Sequence, residues 1–289
     1  MLRREGKFDG VAGTALVRGL VAHSALELLY KYPEGTLVNM IRESSLEVCK
    51  TLEAEGRSPS DAVESNLGKI EREIGEMLEG YRRRLIPLNA KMKILGTEVP
   101  VFWNLGDGHH LSSHIDLLMW DESTSHVVAW DWKWRKDALA ISDLSRNMQL
   151  ACYWALLYGG GQVQIEDAPD SWVNEGTGWF TPVCEDASVS WVDLTAIKPY
   201  TRATTTRDDD GQARTYKKGD DRPISRIVKT ANYHPSQVNN IKRKALERIG
   251  ILTGDSVPFI PQGCSHCECE PWCPRFDMPC EDGFTNVTF

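Results

Sequence analysis

Between positions 111 and 134 the chain reads LSSHIDLLMWDESTSHVVAWDWKW. Two apolar, β-favouring runs flank the polar turn Asp121–Thr124, the pattern of a β-hairpin buried on both faces. Yet Asp116, Asp131 and Lys133 stand inside those runs. Charged side chains are rarely buried without a partner or a metal ion, because an isolated charge is too costly to take out of water. A fold that accepts this hairpin has to gather the three charges at one place. Strand geometry assists: Asp131 and Lys133 are two residues apart and share a face, while Trp130, Trp132 and Trp134 point the other way.

Ahead of the hairpin the pattern is helical. Residues 14–31, TALVRGLVAHSALELLYK, put Leu16, Leu20, Ala22, Leu26 and Leu29 on or near one face, and Pro33 and Gly35 end the helix. A second helix is predicted over 37–56 and a third over 61–85, capped by Ser60 or Asp61. KMKILGTEVPVFW, 91–103, is the strand before the hairpin. After it, SDLSRNMQLACYWALLYG predicts a helix from a Ser142 cap to Gly159, GWFTPV and SVSWVDL predict strands, and PSQVNNIKRKALERIG a last helix. Residues 200–222 hold almost no apolar side chain and read as a mobile loop. The order helices, hairpin, helix, strands predicts a mixed α/β core, a central mixed sheet flanked by helices. We expect one domain over 1–289: a helical region 14–90, a core 91–195, a basic loop and helix 196–252, and a cysteine-rich tail 253–289.

No run of eighteen apolar residues occurs, and the basic start MLRREGKFDGVAG has no apolar stretch after it. A membrane span and a secretory signal are therefore not expected, and the cytoplasm is the expected location. The net charge of −8 argues against a protein that coats nucleic acid, but from Ala196 to Gly250 there are 13 Lys and Arg against 6 Asp and Glu. That segment, with Arg202, Arg207, Arg214, Lys217, Lys218 and Arg222 followed by Lys242, Arg243 and Lys244, reads either as a path for phosphates or as a solvated surface. Trp103 and Trp120 join the three tryptophans of the last hairpin strand near the charges. Most are expected in the core, with one or two able to stack bases.

Hydrolysis of a phosphodiester needs hard oxygen ligands for Mg²⁺ or Mn²⁺ and a cation near the attacking water. Asp116 and Asp131 can provide the first, Lys133 the second, and Glu98 on the preceding strand is a further acid or a solvated charge. The Asp, the fifteen-residue step and the Asp-x-Lys resemble the PD-(D/E)XK nuclease superfamily, with Ile115 in place of its proline. Two flanking features are similar to its RecB-like exonuclease branch: GLVAHSALE, with His23 ahead of Leu26 and Glu27, and Gln149 with Tyr153 on the helix after the hairpin. The resemblance implies metal ligation by His23, Asp116, Asp131 and the Trp132 carbonyl, a catalytic Lys133, and support from Gln149 and Tyr153. It further implies a DNA exonuclease acting on single-stranded or free ends, leaving a 5′-phosphate and a 3′-hydroxyl, in recombination, repair or end processing with a helicase or recombination partner. The alternative is a nuclease-derived DNA-binding module or helicase-partner subunit with little activity.

Five of the eight cysteines fall in the last 26 residues, where a cytoplasmic protein is more apt to bind metal than to form disulfides. Cys264, Cys267 and Cys273 have spacing similar to the cysteine triplet of CRISPR-associated RecB-like exonucleases and AddB-type subunits. This implies a [4Fe-4S] cluster closed by Cys280 or Cys269. The cysteine that relatives carry before the histidine is missing, and a structural zinc site, with His266 as a further donor, fits the same residues.

Overall fold

The computed structural model describes residues 12–57, 63, 66–106, 108–134, 144, 147–253 and 286–288. Three helices come first: α1 (Thr14–Lys31), α2 (Leu37–Ala54) and α3 (Leu67–Arg84). In α1 the buried residues Val17, Val21, Ala22, Ala25, Leu26 and Leu29 follow the spacing of one helical face. Helix α3 begins at Leu67 with Asn66 at the N-cap position; Ser60 and Asp61 lie outside the described residues.

Strands β1 (Lys93–Gly106), β2 (His109–Asp121) and β3 (His126–Lys133) then form an antiparallel meander. Helix α4 (Met148–Tyr158) follows, then β4 (Gln162–Gln164), β5 (Val173–Gly176), β6 (Trp179–Thr181) and β7 (Asp186–Asp193). Beyond them come β8 (Thr204–Arg207), β9 (Ala213–Tyr216), β10 (Val228–Ala231), helix α5 (Val238–Thr253) and β11 (Asn286–Thr288). The main sheet runs β10-β7-β3-β2-β1-β4-β6-β5, with β11 beside β2; β7 is parallel to β3 and β11 to β2, the other pairs antiparallel. This is the mixed α/β sheet flanked by helices that the element order predicts. No helix among the described residues is long and apolar enough to cross a membrane.

Two expectations change. Helix α4 starts at Met148, where the Asn147 side chain accepts the Leu150 N–H at 3.0 Å and caps it; Ser142 lies outside the described residues. The supposed loop 200–222 is a two-stranded arm in which Thr204–Arg207 pairs with Ala213–Tyr216. Its strength comes from cross-strand pairs instead of an apolar core. Thr205 and Thr215 share a hydroxyl bond of 2.9 Å, and Asp208 accepts the N–H groups of Asp210 and Gln212 in the turn. The Tyr200 and Tyr216 rings lie 5.3 Å apart, with the Arg222 guanidinium over the first and that of Arg214 over the second.

Each face of the sheet has its own core. Helices α4 and α5 cover one, with Val101, Trp103, Leu111, Trp120, Trp154 and Leu156. Helices α1, α2 and α3 cover the other, with Leu117, Met119, Trp130, Trp132 and Val192. Trp103, Trp120, Trp130 and Trp132 are each at most 4% exposed, so none of these four can stack a base. The α1–α3 layer stops partway along the sheet. From Val99 to Leu105 and from Leu111 to Ile115 burial alternates, one face covered and one open, whereas from Asp116 to Trp120 every residue of β2 is buried. Glu98 and Asp116 sit on that boundary.

Candidate metal centre

The strand register sets the site. Thr97 pairs with Leu117 and Val99 with Ile115, so Glu98 lies across from Asp116. Leu117 pairs with Trp130, which brings Asp116 beside Asp131 on the next strand. Glu98 has φ 47°, a left-handed conformation that costs a non-glycine residue about 1–3 kcal/mol and persists only where surrounding structure enforces it. Paired residues on both sides of it in β1 provide that enforcement.

His23 descends onto this row from α1. Its Nε2 lies 2.8 Å from the Trp132 carbonyl oxygen and donates to it. Its Nδ1 then faces two carboxylates, Glu98 Oε1 at 3.6 Å and Asp116 Oδ1 at 3.7 Å. One ligand atom from each of His23, Glu98 and Asp116 falls within 4.8 Å of the others. Asp116 also accepts the Trp132 N–H through Oδ2, which fixes the orientation of its carboxyl.

The electrostatics of this cluster are those of a cation site. Burial and then the neighbouring Asp131 push the Asp116 carboxyl up to about 7, against the pull of His23 and Lys133. Burial alone would lower His23, but Asp116 and Glu98 outweigh it and hold the ring up to about 9. A protonated imidazole between two carboxylates supplies the positive charge that the cluster demands. A divalent ion bound by Nδ1 and two carboxylate oxygens would meet the same demand, and this donor set suits Mn²⁺ and Mg²⁺. The residues present therefore fit the metal that the chemistry requires.

Asp131 stands apart from this trio. Its Oδ2 is 2.9 Å from Lys133 Nζ, and its Oδ1 accepts from Gln149 Nε2 at 3.2 Å. Lys133 also lies over the Trp191 ring, 6.0 Å from its centre. Gln149 Nε2 donates to the Tyr153 hydroxyl at 2.9 Å, and that hydroxyl donates to the His114 carbonyl at 2.7 Å. Thus α4 is tied to β2 next to the site. Of the residues singled out from the sequence, His23, Asp116 and the Trp132 carbonyl meet in the trio's cluster, while Asp131, Lys133, Gln149 and Tyr153 form a bonded group beside it. Glu98, ambiguous in the sequence, belongs to the closest cluster.

One element of the site has no sequence signature. Behind it, Trp132 Nε1 donates to the Tyr81 hydroxyl at 3.2 Å, Tyr81 and Tyr30 share a bond of 2.9 Å, and Asn89 Nδ2 donates to Tyr30 at 2.8 Å. The chain of bonds braces the residue whose carbonyl meets His23, yet its members are scattered from position 30 to 132. Cys264, Cys267, Cys269, Cys273, Cys280 and His266 lie outside the described residues. Burial raises the Cys152 and Cys184 thiols to about 12 and 11, which suits inert core positions.

Comparison with known proteins gives no match among curated ones. A family match does exist, to the PD-(D/E)XK nuclease superfamily, over residues 2–274. Its members are nucleases that use divalent metal ions such as Mg²⁺ and Mn²⁺, which accords with the His23, Glu98 and Asp116 cluster. A match across nearly the whole chain, on a mixed sheet flanked by helices, establishes that the chain belongs to the PD-(D/E)XK nuclease superfamily.

Proposed function

We propose that the protein is a metal-dependent deoxyribonuclease of the RecB-like exonuclease branch, removing nucleotides from DNA ends. The observation that carries this reading is the convergence of His23, Glu98 and Asp116 within 4.8 Å, beside the Asp131–Lys133 pair. His23, Glu98 and Asp116 would hold a divalent cation there, which would supply Lewis acidity toward the phosphodiester and toward water. The chain's own groups do the rest. The Trp132 N–H orients Asp116, and the Trp132 carbonyl orients His23. Asp131, which the family resemblance places among the metal ligands, here also positions the Lys133 ammonium, and Gln149 and Tyr153 steady Asp131. Lys133 offers its charge to the phosphate as negative charge builds on it.

The basic residues of the arm, Arg202, Arg207, Arg214, Lys217 and Lys218, and those of α5, Lys242, Arg243 and Lys244, serve as phosphate contacts without sequence preference. The cysteine spacing of the tail supports a [4Fe-4S] cluster on Cys264, Cys267, Cys273 and Cys280, with zinc as its rival. The visible spectrum and iron and sulfide content of protein purified without air separate the two.

The main test uses end-labelled single and double strands. Stepwise shortening from ends in Mn²⁺, abolished by EDTA, supports the proposal. Discrete internal cuts would overturn the exonuclease assignment. DNA binding without any cleavage would favour the helicase-partner module.

A further inference from the structure

The open part of the sheet face, next to the metal cluster, carries a line of rings. Beyond Glu98 the outward residues of β1 are Pro100, Phe102 and Asn104; those of β2 before Asp116 are His110, Ser112 and His114. The Phe102 ring is 5.0 Å from that of His110, tilted by 35°, and 6.4 Å from that of Trp179 on β6, edge to face. All three side chains are partly exposed. Gln162, paired with Phe102, and Gln164, paired with Trp179, add amides along β4. No carboxylate stands among the outward residues of β1 from Pro100 to Asn104 or of β2 from His110 to His114. Phe102 lies four residue steps beyond Glu98, about 13 Å, or roughly four nucleotides of a stacked strand.

We propose that this face is the track for single-stranded DNA, its bases stacking on Phe102, His110 and Trp179 while its backbone leads to the His23–Glu98–Asp116 cluster. The proposal rests on the nuclease reading and specifies the substrate of that same site. Unpaired bases are the fitting occupant for three reasons. Only an unstacked base can offer its flat face to a side-chain ring, since in a duplex that face is already covered. The rings are interleaved with hydroxyl, imidazole and amide groups, which suits base edges better than the aliphatic surface of a protein partner. The track is also continuous with the acids: the strands that carry Phe102 and His110 carry Glu98 and Asp116. The α1–α3 layer covers the far side of those acids, so among the described residues the open face is the approach left to them.

The test measures binding of a fluorescent oligo(dT) 12-mer and of a blunt duplex in Ca²⁺ buffer, with Mn²⁺ affinity followed by calorimetry on the same proteins. Phe102→Ala and Trp179→Ala are each expected to weaken oligo(dT) binding about 5- to 100-fold, the range of one base–ring stack. Duplex and Mn²⁺ affinities should change less than twofold, and Phe102→Tyr should restore binding. Phe102→Leu and Trp179→Leu, which keep apolar bulk without a ring, serve if the alanine variants do not fold and should show the same loss. Unchanged oligo(dT) binding, or an equal loss for duplex, overturns the track while leaving the metal site standing. Failure of the wild-type protein to bind Mn²⁺ overturns the nuclease reading, and the track falls with it.

Discussion

Replacing Asp116 by Asn should make the metal-free protein more stable. Burial and Asp131 hold this carboxyl up to about 7 instead of its ordinary 3.8, so at pH 8 its charge costs the fold about 4 kcal/mol. Against this, the site holds the His23 ring at about 9 instead of 6.5, which contributes about 1 kcal/mol at the same pH, with Asp116 as its largest favourable partner. Asn removes the cost, forfeits that partner, and still accepts the Trp132 N–H. The net expectation is a gain of about 3 kcal/mol, or roughly 6–12 °C in Tm for a chain of this size. The assay is thermal unfolding at pH 8 in EDTA and then in Mn²⁺. Wild type should gain stability with Mn²⁺, by about 2.7 kcal/mol at a hundred times the Kd, and the variant should not respond. A variant less stable than wild type in EDTA would refute the reasoning, because Asp116 would then be a structural ion-pair partner instead of a strained ligand.

Three further outcomes are expected. His23 and Asp116 both have raised pKa values, so between about 4 and 9 the native state binds more protons than the unfolded chain. Metal-free stability should therefore fall as pH rises through that window, while the Mn²⁺-induced rise in Tm grows from pH 6 to pH 9. Lys133→Ala should lower the cleavage rate by about 10²–10³-fold without weakening Mn²⁺ binding measured by calorimetry; unchanged cleavage would remove Lys133 from the mechanism. Glu98→Gly relieves the φ 47° backbone and deletes a ligand, so it should raise the metal-free Tm through about 1 kcal/mol or more yet reduce Mn²⁺ affinity at least tenfold. Lower stability combined with intact affinity would contradict both parts.

The hairpin from Leu111 to Trp134 was readable because side-chain alternation depends on strand geometry alone. It separates Asp131 and Lys133 from Trp132, and the indole does pack in the opposite core. Glu98 was ambiguous because its place depends on the β1–β2 register and on one left-handed residue, neither of which leaves a local trace. The same holds for Tyr30, Tyr81 and Asn89, whose bonds join residues far apart in the chain. In the arm 200–222 low apolar content does not mean lack of structure. Its threonine pairs, Tyr200–Tyr216 contact and Asp208-capped turn hold it without a core. The start of α4 is hard to read because Ser142 and Asn147 are both good caps, and the cap of the described helix is Asn147.

His23 also joins two layers, the helices and the sheet. One nitrogen grips the backbone of β3, and the other faces side chains of β1 and β2. An ion seated among those groups would clasp the first helix to three strands at once. Loading would then be felt well away from the chemistry, as slower amide exchange around Val21, Ala22 and Ala25. The protein's first helix would act as an indicator of whether the enzyme is armed.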